Sequence, residues 1–139
     1  MNAVLIITLG IVGLLGGWVY FNYRKLKNLS VESGNEKIVN ITDNTFQSQI
    51  NKGVTLVDFW ASWCMPCKMM IPVLNDVADL APTNATIAKI DVETNQKMAS
   101  THKVRNIPTM ILFKDGKEIS RFVGVKSKDF LLKEINKHV

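Results

Sequence analysis

Beyond residue 35 the spacing of apolar positions changes period several times, and each change marks an element. "KIVN" (37–40) reads as a short strand. Phe46 and Ile50, four residues apart, define one face of a short helix, with Thr42 or Asp43 placed to cap it. "VTLVDFW" (54–60) is a near-continuous apolar run of strand length, the pattern of a parallel strand covered on both faces. From about residue 66 the spacing predicts a helix that buries Met69, Met70, Val73, Leu74 and Val77, with Pro72 inside it and a kink there. "ATIAKIDV" (85–92) is a second buried strand, and a short helix follows near 95–101. "TMILFK" and "KEISRFV" flank Asp115 and Gly116, a strong hairpin signal. The last helix runs from about 127 to 137 with Phe130, Leu131 and Ile135 inward. The order βαβαβαββα predicts an α/β fold, a central mixed sheet flanked by helices on both faces.

Ahead of this body the pattern is different. Residues 3–21, "AVLIITLGIVGLLGGWVYF", carry no charge and no polar face. As a helix rising about 1.5 Å per residue, they match a hydrocarbon core of roughly 30 Å. The bulky Trp18, Tyr20, Phe21, Tyr23 and Arg24 occupy the place of a small-residue cleavage site, which argues for an uncleaved anchor over a signal peptide. The expectation is therefore a single-pass membrane protein with three parts. Residues 1–23 form a transmembrane anchor, 24–35 a basic flank and polar tether, and 36–139 one globular domain. Arg24, Lys25 and Lys27 directly follow the span, and the positive-inside bias leans the domain toward the cytoplasm.

Composition changes this picture little, and charge only in one respect. Of 139 residues, 47% are apolar and 21% charged, ordinary for a chain that buries a core. The formal net charge is +5, but 3 of the 17 basic residues lie in the N-terminal flank, leaving 14 against 12 acidic ones in the body. A body at +2, with no basic run interleaved with aromatics, gives no support for nucleic-acid binding.

The chemistry concentrates in "FWASWCMPCKMMIP" (59–72), which holds both cysteines of the chain. Two cysteines cannot supply four ligands to a structural zinc ion, and His102 and His138 stand at no metal-ligand spacing. A staple closing so short a loop would constrain little of the unfolded chain. The spacing suits reversible redox chemistry instead. A cysteine at a helix start faces unpaired backbone N–H groups and the positive end of the helix dipole, both of which favour the thiolate. Cys64, nearest the helix start, is expected to be the nucleophile, and Cys67, one turn in, to resolve the mixed disulfide.

The runs "VDFWASWCMPCKMMIPVL", "KIDVET", "NIPTMILFKDGK" and "FVGVKSKDFL" closely resemble the thioredoxin family, in its order and spacing, over residues 36–139. The resemblance implies the thioredoxin fold and thiol-disulfide oxidoreductase activity with no bound cofactor, because the cysteines carry the electrons. It matches Asp58 to a buried acid that exchanges protons with the second cysteine, and Lys89 to a lysine beside that acid. It implies a cis Ile107–Pro108 bond packed on the cysteines, with the backbone at Ile107 binding substrate as an added strand. It places Trp60, Trp63, Pro66, Val123 and Gly124 in an apolar rim that meets substrate. Met65 stands where the typical thioredoxin has glycine, so it joins that rim as an extra apolar contact. The implied partners are disulfide-bearing protein substrates and a reductase that recharges the dithiol. An envelope oxidase or isomerase of the same fold, a thiol reductant for cytochrome maturation, and a non-catalytic binding module are the alternatives.

Overall fold

The computed structural model describes residues 3–27 and 35–139, which divide between two compact units, Met1–Ser33 and Gly34–Val139. In the first unit a helix, α1, spans Ala3–Lys27, and its side chains are described over residues 10–22. These are almost all exposed; the Asn22 side-chain amide donates to the Trp18 carbonyl at 3.1 Å.

The expectation of a membrane anchor is corrected at this point. Among the described residues no helix is long and apolar enough to cross a membrane. The single-pass membrane location, the membrane as a partner through residues 3–21, and the lean toward the cytoplasm that depended on them are withdrawn. Of the expected tether, residues 28–34 lie outside the described residues, and 24–27 belong to α1.

The second unit contains β1 (Ile38–Asn40), α2 (Phe46–Ile50), β2 (Val54–Trp60), α3 (Met65–Leu80), β3 (Ala85–Asp91), α4 (Gln96–Thr101), β4 (Thr109–Lys114), β5 (Lys117–Val123) and α5 (Lys128–Asn136). Five strands form one mixed sheet in the order β1-β3-β2-β4-β5. The first three are parallel, β4 runs antiparallel to β2, and β5 antiparallel to β4. The turn between β4 and β5 sits at Asp115 (φ 47°) and Gly116 (φ 81°), so both residues take the left-handed conformation that short hairpin turns demand. Helices α3 and α5 cover one face, packing Met70, Leu74, Val77, Leu131 and Ile135 on Leu56, Ile87 and Leu112. The other face carries α2 and α4, with Phe46 and Ile50 packed on Val57, Phe59, Ile111 and Phe113. Alternation along β2 thus sends its even-numbered side chains toward α3 and its odd-numbered ones toward α2.

Three local expectations are overturned. Met69 is 61% exposed. The buried stripe of α3 runs Cys67, Met70, Leu74 and Val77 at steps of three or four, with Ala78 four beyond Leu74, and residue 69 falls outside that arc. Phe130 is 37% exposed and meets Phe122 edge-on at 5.1 Å at the margin of the core, while Leu131 and Ile135 take the buried positions. Neither Thr42 nor Asp43 caps α2, whose N-cap is Thr45. Asp43 instead accepts the Met98 N–H at 2.9 Å in the first turn of α4, while its own N–H donates to the Asn95 side chain. Asn35, where the second unit begins to be described, is clasped to α3. Its side-chain amide donates to the Asn75 carbonyl (3.1 Å) and to Asp79 (2.9 Å), and Lys37 pairs with Asp79 at 3.0 Å.

Candidate active site

The site lies where β2 ends and α3 begins. Trp60 closes the strand, Ala61 to Trp63 turn, and Cys64 takes the N-cap position of α3 with extended backbone (φ −79°, ψ 107°). The chain can start a helix here because Pro66, in the first turn, needs no N–H partner and its fixed φ already suits a helix. Cys64 and Cys67 are joined in a disulfide, both only 3% exposed. The Cys67 N–H donates to Cys64 Sγ at 3.2 Å. A cap residue ordinarily offers oxygen to that donor; here the acceptor is sulfur. The N-terminal end of α3, with this N–H, thus faces Cys64 Sγ, while Cys67 lies one turn inside the helix.

Two residues before Trp60, β2 carries a carboxyl group buried in an apolar layer. Asp58 is 4% exposed, faces α3 with the even residues of β2, and is paired in register with Lys89 on β3 and Met110 on β4. Its Oδ1 has no hydrogen-bond partner among the described residues. Burial pushes its carboxyl up to about 7, with the Lys89 ammonium pulling in the opposite direction. Lys89 is half-buried, and its Nζ stands 5.6 Å from the centre of the Trp60 ring. That ring, Val92 and Ile107 pack around Ala61, Cys64 and Cys67.

On the other side of the cysteines the Ile107–Pro108 bond is cis and Pro108 is buried. The Pro108 carbonyl accepts the Gly124 N–H at 2.8 Å, tying the loop after β5 to the start of β4. Gly124 has φ 81°, and a Cβ there would meet nothing within 4 Å, so the requirement for glycine is conformational rather than steric. Trp63, Met65, Pro66 and Val123 are all exposed. The structure thus gathers Cys64, Cys67, Asp58, Lys89, Ile107 and Pro108 with this apolar rim at one end of the sheet.

Two contacts here were not legible in the sequence. Met70, fully buried, accepts the Lys126 N–H on its Sδ at 3.4 Å and so holds the rim loop to α3. Thr109, also buried, donates its hydroxyl to the Asn106 carbonyl at 2.6 Å and braces the turn before Pro108. The only signal of either was position: Met70 lies three residues after Cys67, and Thr109 directly follows Pro108.

Comparison with known proteins agrees with this geometry. The thioredoxin family model matches residues 37–137. The chain belongs to the thioredoxin family. It is 50% identical over 98 residues to a thioredoxin of Chlamydia pneumoniae, covering 70% of this chain and 95% of that one. It is 46% identical over 102 residues to a thioredoxin of Staphylococcus epidermidis, covering 73% and 98%. Among solved structures, a mutant thioredoxin from Halobacterium salinarum superimposes with a TM-score of 0.64 at 34% identity, over 76% of this chain and 94% of that one. With its Cys64–Cys67 pair, this thioredoxin-family chain is a thiol-disulfide oxidoreductase of the disulfide reductase type.

Proposed function

We propose that the protein reduces disulfides of protein substrates, with Cys64 as nucleophile, Cys67 as resolving thiol and Asp58 as proton acceptor. The observation that carries the assignment is the Cys67 N–H aimed at Cys64 Sγ at 3.2 Å. In the dithiol form the Cys64 thiolate attacks one substrate sulfur, forming a mixed disulfide and expelling the other substrate sulfur as thiolate. The Cys67 thiol then passes its proton to the Asp58 carboxylate, and its thiolate attacks Cys64 Sγ. The second substrate thiolate leaves, the Cys64–Cys67 disulfide closes, and two electrons have moved to the substrate. A separate reductase returns two electrons and two protons. Lys89 opposes the burial effect on Asp58 and so keeps part of that carboxyl ionised near neutrality.

The substrate chain docks across the rim formed by Trp63, Met65, Pro66, Val123 and Gly124 and pairs with the backbone at Ile107, beside Pro108. Exposed apolar side chains there favour extended segments of little sequence specificity. The test is a trap: Cys67→Ser accumulates mixed disulfides through Cys64 when incubated with a disulfide-bonded protein, and Cys64→Ser accumulates none. The opposite pattern reverses the two roles.

A further inference from the structure

At the mouth of the site two thioethers stand where solvent reaches them and the cysteine sulfurs do not. Met65 is the first residue of α3 and is 64% exposed; Met69, one turn later on the same face, is 61% exposed. Helical side chains lean toward the N-terminus, so Met69 covers the turn that begins at Met65, and the two form a ridge leading away from Cys64. Met70 and Met110, by contrast, are fully buried in the core beneath α3.

We propose that Met65 and Met69 are a peroxide-sensitive modification site that sets how tightly disulfide-bearing protein substrates dock. The proposal rests on the reading of Cys64 as the substrate-attacking sulfur, because the ridge is continuous with the rim around it. Unoxidised, the two side chains are flexible and apolar and adapt to varied substrate segments. Hydrogen peroxide or an organic hydroperoxide transfers one oxygen to each sulfur; the thioether becomes a sulfoxide, the O–O bond breaks, and water or an alcohol leaves. A polar sulfoxide at both positions removes the apolar contact outside Cys64 while leaving Cys64, Cys67 and Asp58 untouched. The disulfide form is the vulnerable one, since its cysteines are bonded and nearly buried while the ridge is open.

The experiment treats the full chain, in its disulfide form, with hydrogen peroxide and follows each methionine by peptide mass spectrometry. After peroxide removal and re-reduction with dithiothreitol, KM and kcat are measured for insulin, a protein disulfide, and for hydroxyethyl disulfide, a small one. Met65 and Met69 are expected to oxidise before Met70 and Met110. KM for insulin should rise about fivefold with kcat nearly unchanged, the loss of roughly 1 kcal/mol of apolar contact. Hydroxyethyl disulfide kinetics should not move, and methionine sulfoxide reductases of both stereospecificities should restore the insulin KM. In the Met65→Leu/Met69→Leu variant, the insulin KM should not respond to peroxide. The proposal is overturned if Met70 or Met110 oxidises as fast as the ridge. It is also overturned if full conversion at 65 and 69 leaves the insulin KM unmoved, or if the leucine variant responds as strongly as the parent. Failure of the untreated protein to reduce insulin is a different result, one that removes the proposed function; the order of methionine oxidation is read independently of it.

Discussion

Replacing Asp58 by asparagine should make the protein more stable at alkaline pH and slower as a reductase. The side chain is buried in an apolar layer, one carboxyl oxygen has no hydrogen-bond partner among the described residues, and its pKa stands at about 7 against 3.8 for the free group. A folded-state pKa above the unfolded one means that the folded chain holds the proton more tightly. The stability this provides is fully present below about pH 3.8 and is lost as pH rises through 7. A shift of about three units at roughly 1.4 kcal/mol each puts the alkaline loss on the order of 4 kcal/mol. Asparagine fills the same volume without a charge, so it recovers a large part of that loss, on the order of 2–4 kcal/mol at pH 8, and almost none near pH 4. Urea denaturation of the disulfide form of the full chain, repeated from pH 4 to pH 9, measures the difference without interference from thiol titration. A gain that is the same at every pH, or no gain at pH 8, would refute the desolvation argument. The same variant should release substrate from the Cys64 mixed disulfide more slowly near neutral pH, because Cys67 loses its proton acceptor.

Three further outcomes follow from other residues. His102 packs against Phe46 at 4.8 Å and Phe113 at 5.3 Å, and burial holds its pKa below 6.5; Glu118 raises it and Arg121 lowers it. Its contribution to stability is therefore present above pH 6.5 and lost as pH falls through the lower folded value, and His102→Phe should flatten that acid limb in denaturation measured between pH 5 and 7. Lys103 closes α4 at φ 53°, so Lys103→Gly should raise the urea midpoint by the equivalent of about 1 kcal/mol; a fall would show that the left-handed backbone there carries no penalty. Ser127 caps α5 by accepting the Phe130 N–H at 3.3 Å, and Ser127→Ala should cost about 1 kcal/mol by the same assay.

The strands were legible because burial on both faces demands uninterrupted apolar runs, and "VTLVDFW" and "TMILFK" have them. Asp58 stood out for the same reason, as a charge inside such a run. The hairpin was legible because Asp115 and Gly116 are a pair that accepts positive φ at both positions. At Asp43 the sequence misled because a long-range partner intervened. Asp43 looked like a cap for the helix that follows it, yet its acceptor is used 55 residues away on Met98. Met69 and Met70 are chemically identical neighbours, and only the angle at which α3 meets the sheet decides which one is buried. Met70 Sδ as an acceptor for Lys126 depends on two segments 56 residues apart, and no local pattern encodes it.

The clasp at Asn35 has a practical consequence. Its partners Asn75 and Asp79 lie 11 and 15 residues beyond Cys64 along α3, so the backbone is fastened at least about 16 Å down the helix axis from the reactive sulfur. A resin or sensor surface coupled through an engineered residue beside Asn35 would grip the far end of α3 and leave Cys64 open to large, slowly diffusing substrates. An enzyme electrode built in that orientation should retain turnover that coupling through Lys68, next to Cys67, would abolish.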